Sequence, residues 1–264
     1  MEVINNKKLI LVPCDFSPLA YHALEHGANM AKAMKSRLVV LHVAHKEAEI
    51  ATMEKKLHFV ADDCSEKFGV LPEIIVRHFH GEPYSVIKEV ANELNPIGVI
   101  LKTGGGTKTV ELLAGTSIPF LVIQDSPKSE NLKDIAFPIN FMQKLDEKMK
   151  RVVHFADYYP DATMHIISPS GKHTEKERNV TTAVNLTGKV LSDQNIKTNY
   201  ILHDKKKNSA ETILHLCDEM DMIVVQMEET TWLKNFLFGL REEKLVTNDR
   251  KIPVLCFRKE SDFK

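Results

Sequence analysis

The chain has 264 residues, a length that favours two domains of similar size over one. Lysine and arginine number 35 against 36 aspartate and glutamate, so the formal net charge is -1 and gives no global electrostatic case for binding nucleic acid or an anionic membrane. The 4 cysteines lie far apart without a Cys-x-x-Cys pair, and no secretory leader or membrane-spanning apolar run is seen. We therefore expect a soluble, cytoplasmic protein with reduced thiols.

Short apolar runs of strand length alternate with longer amphipathic segments, which predicts strand-helix units on a parallel sheet buried on both faces. Helices are predicted to open at Ser17-Pro18, near Ile50 and at Pro83, and the second should end at Gly69. The predicted strands of the first half are Leu9–Val12, Leu38–Val43, Glu73–Val76, Ile97–Leu101 and Phe120–Ile123.

The second half of the chain repeats the pattern of the first half. Pro13 aligns with Pro138, and the strand Leu38–Val43 aligns with Thr163–Ser168. Near the ends, Ile118-Pro119 aligns with Ile252-Pro253, although the last two strands lie ten residues further apart in the second half. The polar, proline-bearing segment 125–131 reads as a linker, which gives domains at 1–126 and 130–264.

Four stretches of the first half stand out, namely Leu11-Val12-Pro13-Cys14-Asp15-Phe16-Ser17, Leu41-His42-Val43, Gly81-Glu82-Pro83 and Ile118-Pro119-Phe120-Leu121-Val122-Ile123. They resemble a universal stress protein domain. The resemblance covers both halves of the chain, and it is best at the first strand with its following helix and at the final isoleucine-proline strand. The resemblance implies an α/β fold with two tandem Rossmann-like domains, each a five-stranded parallel sheet in the order 3-2-1-4-5. It also implies that the two halves pair within the chain like the dimer of single-domain relatives, and a homodimer is left open.

The resemblance also implies where a nucleotide would bind. The members of this family that bind ATP carry a motif after the fourth strand, which reads Gly, two residues, Gly, nine residues, Gly, then Ser or Thr. Glycines allow backbone amides to approach phosphate oxygens, and the helix that follows favours an anion at its first turn. An aspartate at the tip of the first strand faces the nucleotide. Both halves of this chain depart from that motif, and they do so differently.

The first half keeps the aspartate, Asp15, but Lys102-Thr103 and three glycines follow its fourth strand without the long loop. A register that uses Gly115-Thr116 fits the motif, but it leaves no room for a helix before Ile118. We align Gly106-Thr107 with the end of the motif instead, so that Val110–Ala114 forms the helix. The site residues that follow from the resemblance are Pro13, Asp15, Val43, Gly104, Gly105, Gly106 and Thr107.

The second half keeps the loop length but loses the residues of the motif. Gln226 and Glu229 stand at the first two glycine positions, only Gly239 remains, and Asn140 replaces the strand-one aspartate. A carboxylate beside a phosphate is repulsive, so we expect no phosphate site in this half. The apolar loop residues Trp232–Phe238 cover a core edge or meet a partner.

Histidines gather at the predicted carboxyl ends of the second and third strands, namely His42, His45, His78 and His80. Ligand sites in such sheets lie at this edge, and imidazole binds zinc. No thiol or carboxylate stands at ligand spacing, so we predict no metal site, and the sequence leaves metal binding by these histidines undecided.

The sequence thus predicts a non-enzymatic stress-response module whose ATP motif is degenerate in both halves, with any small-molecule site in the first half and ATP or AMP as the candidate cofactor. Two other hypotheses stay open. One is a competent ATP- or AMP-binding protein, and the other is a protein-interaction scaffold with vestigial pockets. An enzyme of the wider nucleotide-binding α/β group lacks a recognisable nucleophile or metal motif.

Overall fold

The computed structural model describes residues 8–79, 82–102, 118–138, 145–170, 188–189, 191–204, 210–227, 245–246 and 248–258. Two compact units divide the chain, with the boundary between Lys128 and Ser129. This boundary lies inside the segment that the sequence predicts as a linker, and no helix or strand occurs from 124 to 133.

Five strands and three helices alternate along the described part of the first unit. The strands are β1 (Leu9–Pro13), β2 (Arg37–Ala44), β3 (Glu73–His78), β4 (Gly98–Lys102) and β5 (Phe120–Ile123). The helices are α1 (Pro18–Met34), α2 (Ile50–Phe68), which a short 3-10 turn at Glu47–Glu49 precedes, and α3 (Pro83–Leu94). These elements confirm the predicted ones, with differences of one or two residues at their ends. The predicted helix Val110–Ala114 lies outside the described residues.

The sheet of the first unit is parallel and has the strand order β3-β2-β1-β4-β5. In the central strand, Leu11 pairs with Val39 of β2 and with Val99 of β4. Leu11 and its neighbour Val12 are both fully buried although they point to opposite faces, so both faces of the sheet are covered. This confirms the predicted fold class.

Helix α1 begins at a defined cap and packs tightly on the central strand. The Ser17 hydroxyl accepts a hydrogen bond from the Ala20 amide at 3.3 Å, and Pro18 opens the helix. Further along, a Cβ added at Gly27 would lie 2.7 Å from Val12 Cγ2. A larger residue there would push α1 away from β1, so Gly27 allows the close approach that fixes the loop between β1 and α1.

The second unit repeats this topology. Its strands are β6 (Asp134–Pro138), β7 (Thr163–Ser170), β8 (Thr198–Asp204), β9 (Met222–Met227) and β10 (Val254–Arg258), and its described helices include α4 (Leu145–Tyr158) and α5 (Ala210–Leu216). They pair in parallel in the order β8-β7-β6-β9-β10, which is the order of the first unit. Pro138 ends β6 as Pro13 ends β1, as the internal repeat predicts.

Each unit has its own apolar core. Ile10, Leu41 and Ile100 are almost completely buried in the first unit, and Phe155 and Ile166 are so in the second. In the second unit, the ring of Phe155 meets that of Phe137 edge to face at 5.9 Å between centroids. None of the helices in the described part of the chain has the length and apolar character needed to cross a bilayer.

Candidate functional site

A cavity of about 450 Å³ opens at the carboxyl ends of β1, β2 and β4. Its sheet side consists of Pro13, Leu41, His42, Val43, Leu101 and Lys102. The loop after β1 adds Cys14, Asp15 and Phe16, and the helical side includes Met53, Lys56, Pro83, Tyr84 and Ile87. In open parallel sheets, ligands bind at this edge, where the connections from neighbouring strands leave in opposite directions. The cavity is therefore the candidate site of the first unit.

The structure brings together three of the residues that the sequence singles out. Pro13, Asp15 and Val43 all line the cavity. They converge because β1 and β2 are parallel neighbours and end at the same edge, where Pro13 pairs with Leu41. The predicted turn at 104–107 lies outside the described residues, so its part in the site stays a prediction.

Asp15 is held by two partners from different elements. Lys102 Nζ, at the end of β4, lies 2.5 Å from Asp15 Oδ2 and donates a second hydrogen bond to Ser17 Oγ at 2.9 Å. The hydroxyl and the backbone amide of Ser17 both donate to Asp15 Oδ1, at 2.7 and 3.1 Å. One hydroxyl thus caps α1 and anchors the carboxylate of the site.

This network changes the acidity of Asp15. Partial burial raises the pKa of the carboxyl group, but the hydrogen bonds from Lys102 and Ser17 favour the charged form and together lower the pKa below its ordinary value. Asp15 is therefore an ionised, internally paired carboxylate. A ligand that donates to it has to share it with Lys102.

The loop after β1 also carries a strained aromatic residue. Phe16 has a φ of 61°, a left-handed conformation that bulky residues rarely adopt. Its ring lies 4.6 Å from the ring of His42, centroid to centroid. His42 Nδ1 is 2.8 Å from the Cys14 carbonyl oxygen, which only accepts, so this nitrogen carries the proton. The backbone at this position of the cavity is therefore strained.

Cys14 is unsuited to act as a nucleophile. Its side chain is buried, and burial raises the pKa of its thiol to about 11, so the reactive thiolate is scarce near neutral pH. All four cysteines are free and buried.

The sequence-based site misses most of the cavity lining, including Lys102, Phe16 and Lys56. Lys102 could have been found, because the strand order places the end of β4 beside the end of β1. The ring of Phe16 and the ammonium group of Lys56, which lies 5.6 Å from the centre of that ring, carry no comparable signal. Their positions depend on the packing of α2 against the loop.

The histidines at this edge have separate contacts. His42 bonds to the Cys14 carbonyl group, and the ring of His45 meets that of Phe79 at 5.3 Å. Within the described residues, no group of three or more histidine, cysteine or acidic side chains is placed to hold a metal ion. His80 lies outside those residues.

In the second unit, the positions of the degenerate motif lie largely outside the described residues. These include Asn140, Glu229, Gly239 and the apolar loop 232–238. A polar group that the sequence did not predict lies instead at the amino ends of β6, β7 and β8, where His165 Nε2 bonds to Asp134 Oδ1 at 2.7 Å. Its Nδ1 accepts from the Asn199 amide at 3.2 Å, so both ring nitrogens are satisfied and the contacts tie three strands together.

Residues 7–118 match the model of the universal stress protein family. The structure of a universal stress protein from Archaeoglobus fulgidus DSM 4304 has a TM-score of 0.73 at 17% identity, covering 95% of this chain and 96% of that chain. A putative universal stress protein from Pseudomonas aeruginosa UCBPP-PA14 has a TM-score of 0.64 at 14% identity, covering 96% of this chain and 94% of that chain. At these identities the likeness shows the fold alone.

This match identifies a universal stress protein domain in the first half of the chain. A universal stress protein from Archaeoglobus fulgidus in complex with dAMP is 18% identical and covers 45% of this chain and 98% of that chain, but its TM-score of 0.40 is too low to bear on a ligand here. No curated protein sequence matches the chain at a significant level.

Proposed function

We propose that this chain is a non-enzymatic, ligand-responsive module whose small-molecule site is the cavity of the first unit. The observation that carries the proposal is the convergence of Pro13, Asp15 and Val43 on that cavity. Its volume of about 450 Å³ lies in the range of sites that enclose a small ligand, and its walls combine apolar side chains with a few polar groups.

The candidate ligand is an adenine nucleotide, the class that the family resemblance implies, and we expect ATP to bind weakly. The carboxylate that should face the ligand already accepts hydrogen bonds from Lys102 and Ser17. The loop that holds the phosphates in ATP-binding relatives is shortened in this sequence. The pairing of Asp15 weakens the binding of any nucleotide, and the shortened loop favours a ligand with few phosphates, such as AMP, over ATP.

Two observations at this edge of the sheet support a binding role over catalysis. The pKa of the Cys14 thiol is raised by burial, and the Ser17 hydroxyl donates to a carboxylate that already accepts from an ammonium group. Nucleophilic catalysis by serine or cysteine requires a base that removes the proton of the attacking group. Asp15 is a poor base here because its pKa is lowered.

Isothermal titration of the purified, nucleotide-stripped chain with AMP and with Mg-ATP tests the proposal. We expect AMP to bind at one site per chain, ATP to bind more weakly, and the Asp15→Ala variant to lose both signals. Asp62→Ala is the matched control, since Asp62 is exposed on α2 and lies outside the cavity. The absence of binding by either nucleotide would contradict the proposal, and micromolar Mg-ATP binding would contradict the weakened ATP site.

A further inference from the structure

A second cavity of about 410 Å³ lies next to the candidate site, between α1 and α2. It is lined by Phe16, Tyr21, Lys56, Phe59, Val60 and Asp63. Phe16 and Lys56 line the first cavity as well. The two cavities therefore share a boundary, which consists of one aromatic ring and one ammonium group.

One face of α2 runs along both cavities. Met53 lines the first cavity, Lys56 lines both, and Val60 and Asp63 line the second. These residues follow one another at intervals of three or four, so they lie on the same side of the helix. The two cavities therefore follow one another along the same face of α2.

The second cavity presents flat aromatic surfaces that the described fold does not cover. Phe59 is 75% exposed and Tyr21 is 40% exposed. A phenylalanine exposed to this degree contributes little to the core. Rings in this position can bind a planar ligand group by stacking, as aromatic side chains bind nucleic acid bases.

Charge at the shared boundary favours an anionic group. Lys102 is paired with Asp15, and Asp63 accepts from Lys67 at 2.9 Å. Lys56 instead lies over the ring of Phe16, and the described residues place no carboxylate within ion-pair distance of its ammonium group. Of the lysines on the two cavities, Lys56 is thus the one available to a ligand. Glu49 lines the first cavity and can accept from a ligand hydroxyl group.

We propose that the two cavities form one extended site for a dinucleotide, in which a phosphate link joins two planar bases. One base occupies the first cavity, the phosphate link contacts Lys56, and the second base stacks on Tyr21 and Phe59. Phe16, strained and shared by both cavities, separates the two bases. This inference rests on the proposed nucleotide binding and names the class of nucleotide.

Titration of the full chain with ADP and with diadenosine diphosphate tests the inference, because the two ligands share the diphosphate and differ in the second adenosine. We expect diadenosine diphosphate to bind about tenfold more tightly. Phe59→Ser should reduce this advantage to about twofold or less while leaving the Kd of ADP unchanged. Lys56→Gln should weaken the binding of both ligands severalfold. Leu71→Ser is the matched control, since Leu71 is 66% exposed and lines neither cavity.

Equal affinities for the two ligands, or an advantage that survives Phe59→Ser, overturn the extended site and leave the proposed function intact. If AMP, ADP and diadenosine diphosphate all fail to bind, both the proposed function and this inference are wrong. If ADP binds and the second adenosine adds no affinity, the extended site alone is wrong.

Discussion

The Asp15 carboxylate owes its state to residues distant in the chain. Lys102, 87 positions away, bonds to one oxygen, and Ser17 bonds to the other. Partial burial opposes ionisation, and these bonds outweigh it. The acidity of this group therefore depends on a lysine from β4 and on the serine that caps α1.

Replacing Lys102 with methionine should raise the pKa of Asp15, because burial then acts against the two bonds from Ser17 alone. A carboxyl group whose pKa is lowered by folding stabilises the native state above its unfolded pKa, and this stability is lost as the pH falls through the folded pKa. In the Lys102→Met variant, protonation of Asp15 should therefore reduce the free energy of unfolding in acid by less than it does in the wild type. An NMR titration of the Asp15 carboxyl carbon measures the shift, with the exposed Lys55→Met as control, and an unchanged pKa contradicts the prediction.

His26 on α1 is a buried basic group that is held neutral, whereas Asp15 is an acidic group that is held charged. It is 4% exposed, and its Nε2 donates to the Asp125 carbonyl oxygen at 3.2 Å. Burial lowers the pKa of His26 to about 4, although the Asp125 carbonyl group favours the charged form. The native state therefore holds this ring neutral over a pH range in which the unfolded chain binds a proton.

As the pH falls from 6.5 towards 4, the unfolded state gains a proton at His26 that the native state does not, so the free energy of unfolding should decrease. Between pH 7 and pH 4.5 we expect His26 to reduce the free energy of unfolding by roughly 2 to 3 kcal/mol. His26→Gln keeps a donor without titrating and should show a smaller decrease in urea unfolding experiments. His58→Gln, at an exposed position of α2, should behave like wild type. Equal decreases in all three proteins would falsify the prediction.

At the scale of elements, the packing of α1 on β1 positions the loop that lines the cavity. Gly27 allows this packing, because a Cβ added at this position would lie 2.7 Å from Val12 Cγ2 and 3.1 Å from Leu38 Cδ1. Alanine is the better helix former by about 1 kcal/mol, so a glycine in the middle of α1 indicates that close approach outweighs propensity here.

Gly27→Ala should destabilise the protein, since overpacking costs about 1 to 3 kcal/mol and exceeds the gain in helix propensity. In the Val12→Ala background, the clashing methyl group is absent, and the same substitution should cost less or become stabilising. Denaturant unfolding of the four proteins gives the coupling free energy, which we expect to be on the order of 1 kcal/mol. Additive effects would show that Val12 is not the limiting contact.

At the scale of the whole molecule, one topology occurs twice, and the two copies keep different residues at the site. The first unit retains Pro13 and Asp15, whereas the second has Pro138 followed by Ile139 and Asn140. The predicted pairing of the two halves and the homodimer stay predictions. Each unit has its own apolar core, so the folding of one unit can be tested in a truncated chain.

A fragment of residues 1–128 should fold by itself, because its strands and helices bury a core without help from the second unit. We expect a cooperative thermal transition by circular dichroism and retention of the AMP affinity of the full chain. Loss of AMP binding in a folded fragment would place part of the site in residues 129–264. A fragment without a cooperative transition would show that the first unit does not fold alone.

Much of this protein follows from local sequence. Strands such as Phe120–Ile123 are continuous apolar runs, and helices such as α1 begin at a capping serine and proline, so their positions depend on neighbouring residues alone. Pro13, Asp15 and Val43 follow from the family resemblance. Parallel strands bring them to one edge, and they line one cavity.

Tertiary structure alone decided how these residues are used. The pairing of Asp15 with Lys102 requires β1 and β4 to be neighbours, and the place of Lys56 over Phe16 requires α2 to pack against the loop after β1. The exposure of Phe59 beside a second cavity likewise depends on how α1 and α2 meet. Periodicity assigns a residue to a face of its own helix or strand, but the group opposite that face comes from a distant part of the chain, so only the folded chain defines the contact.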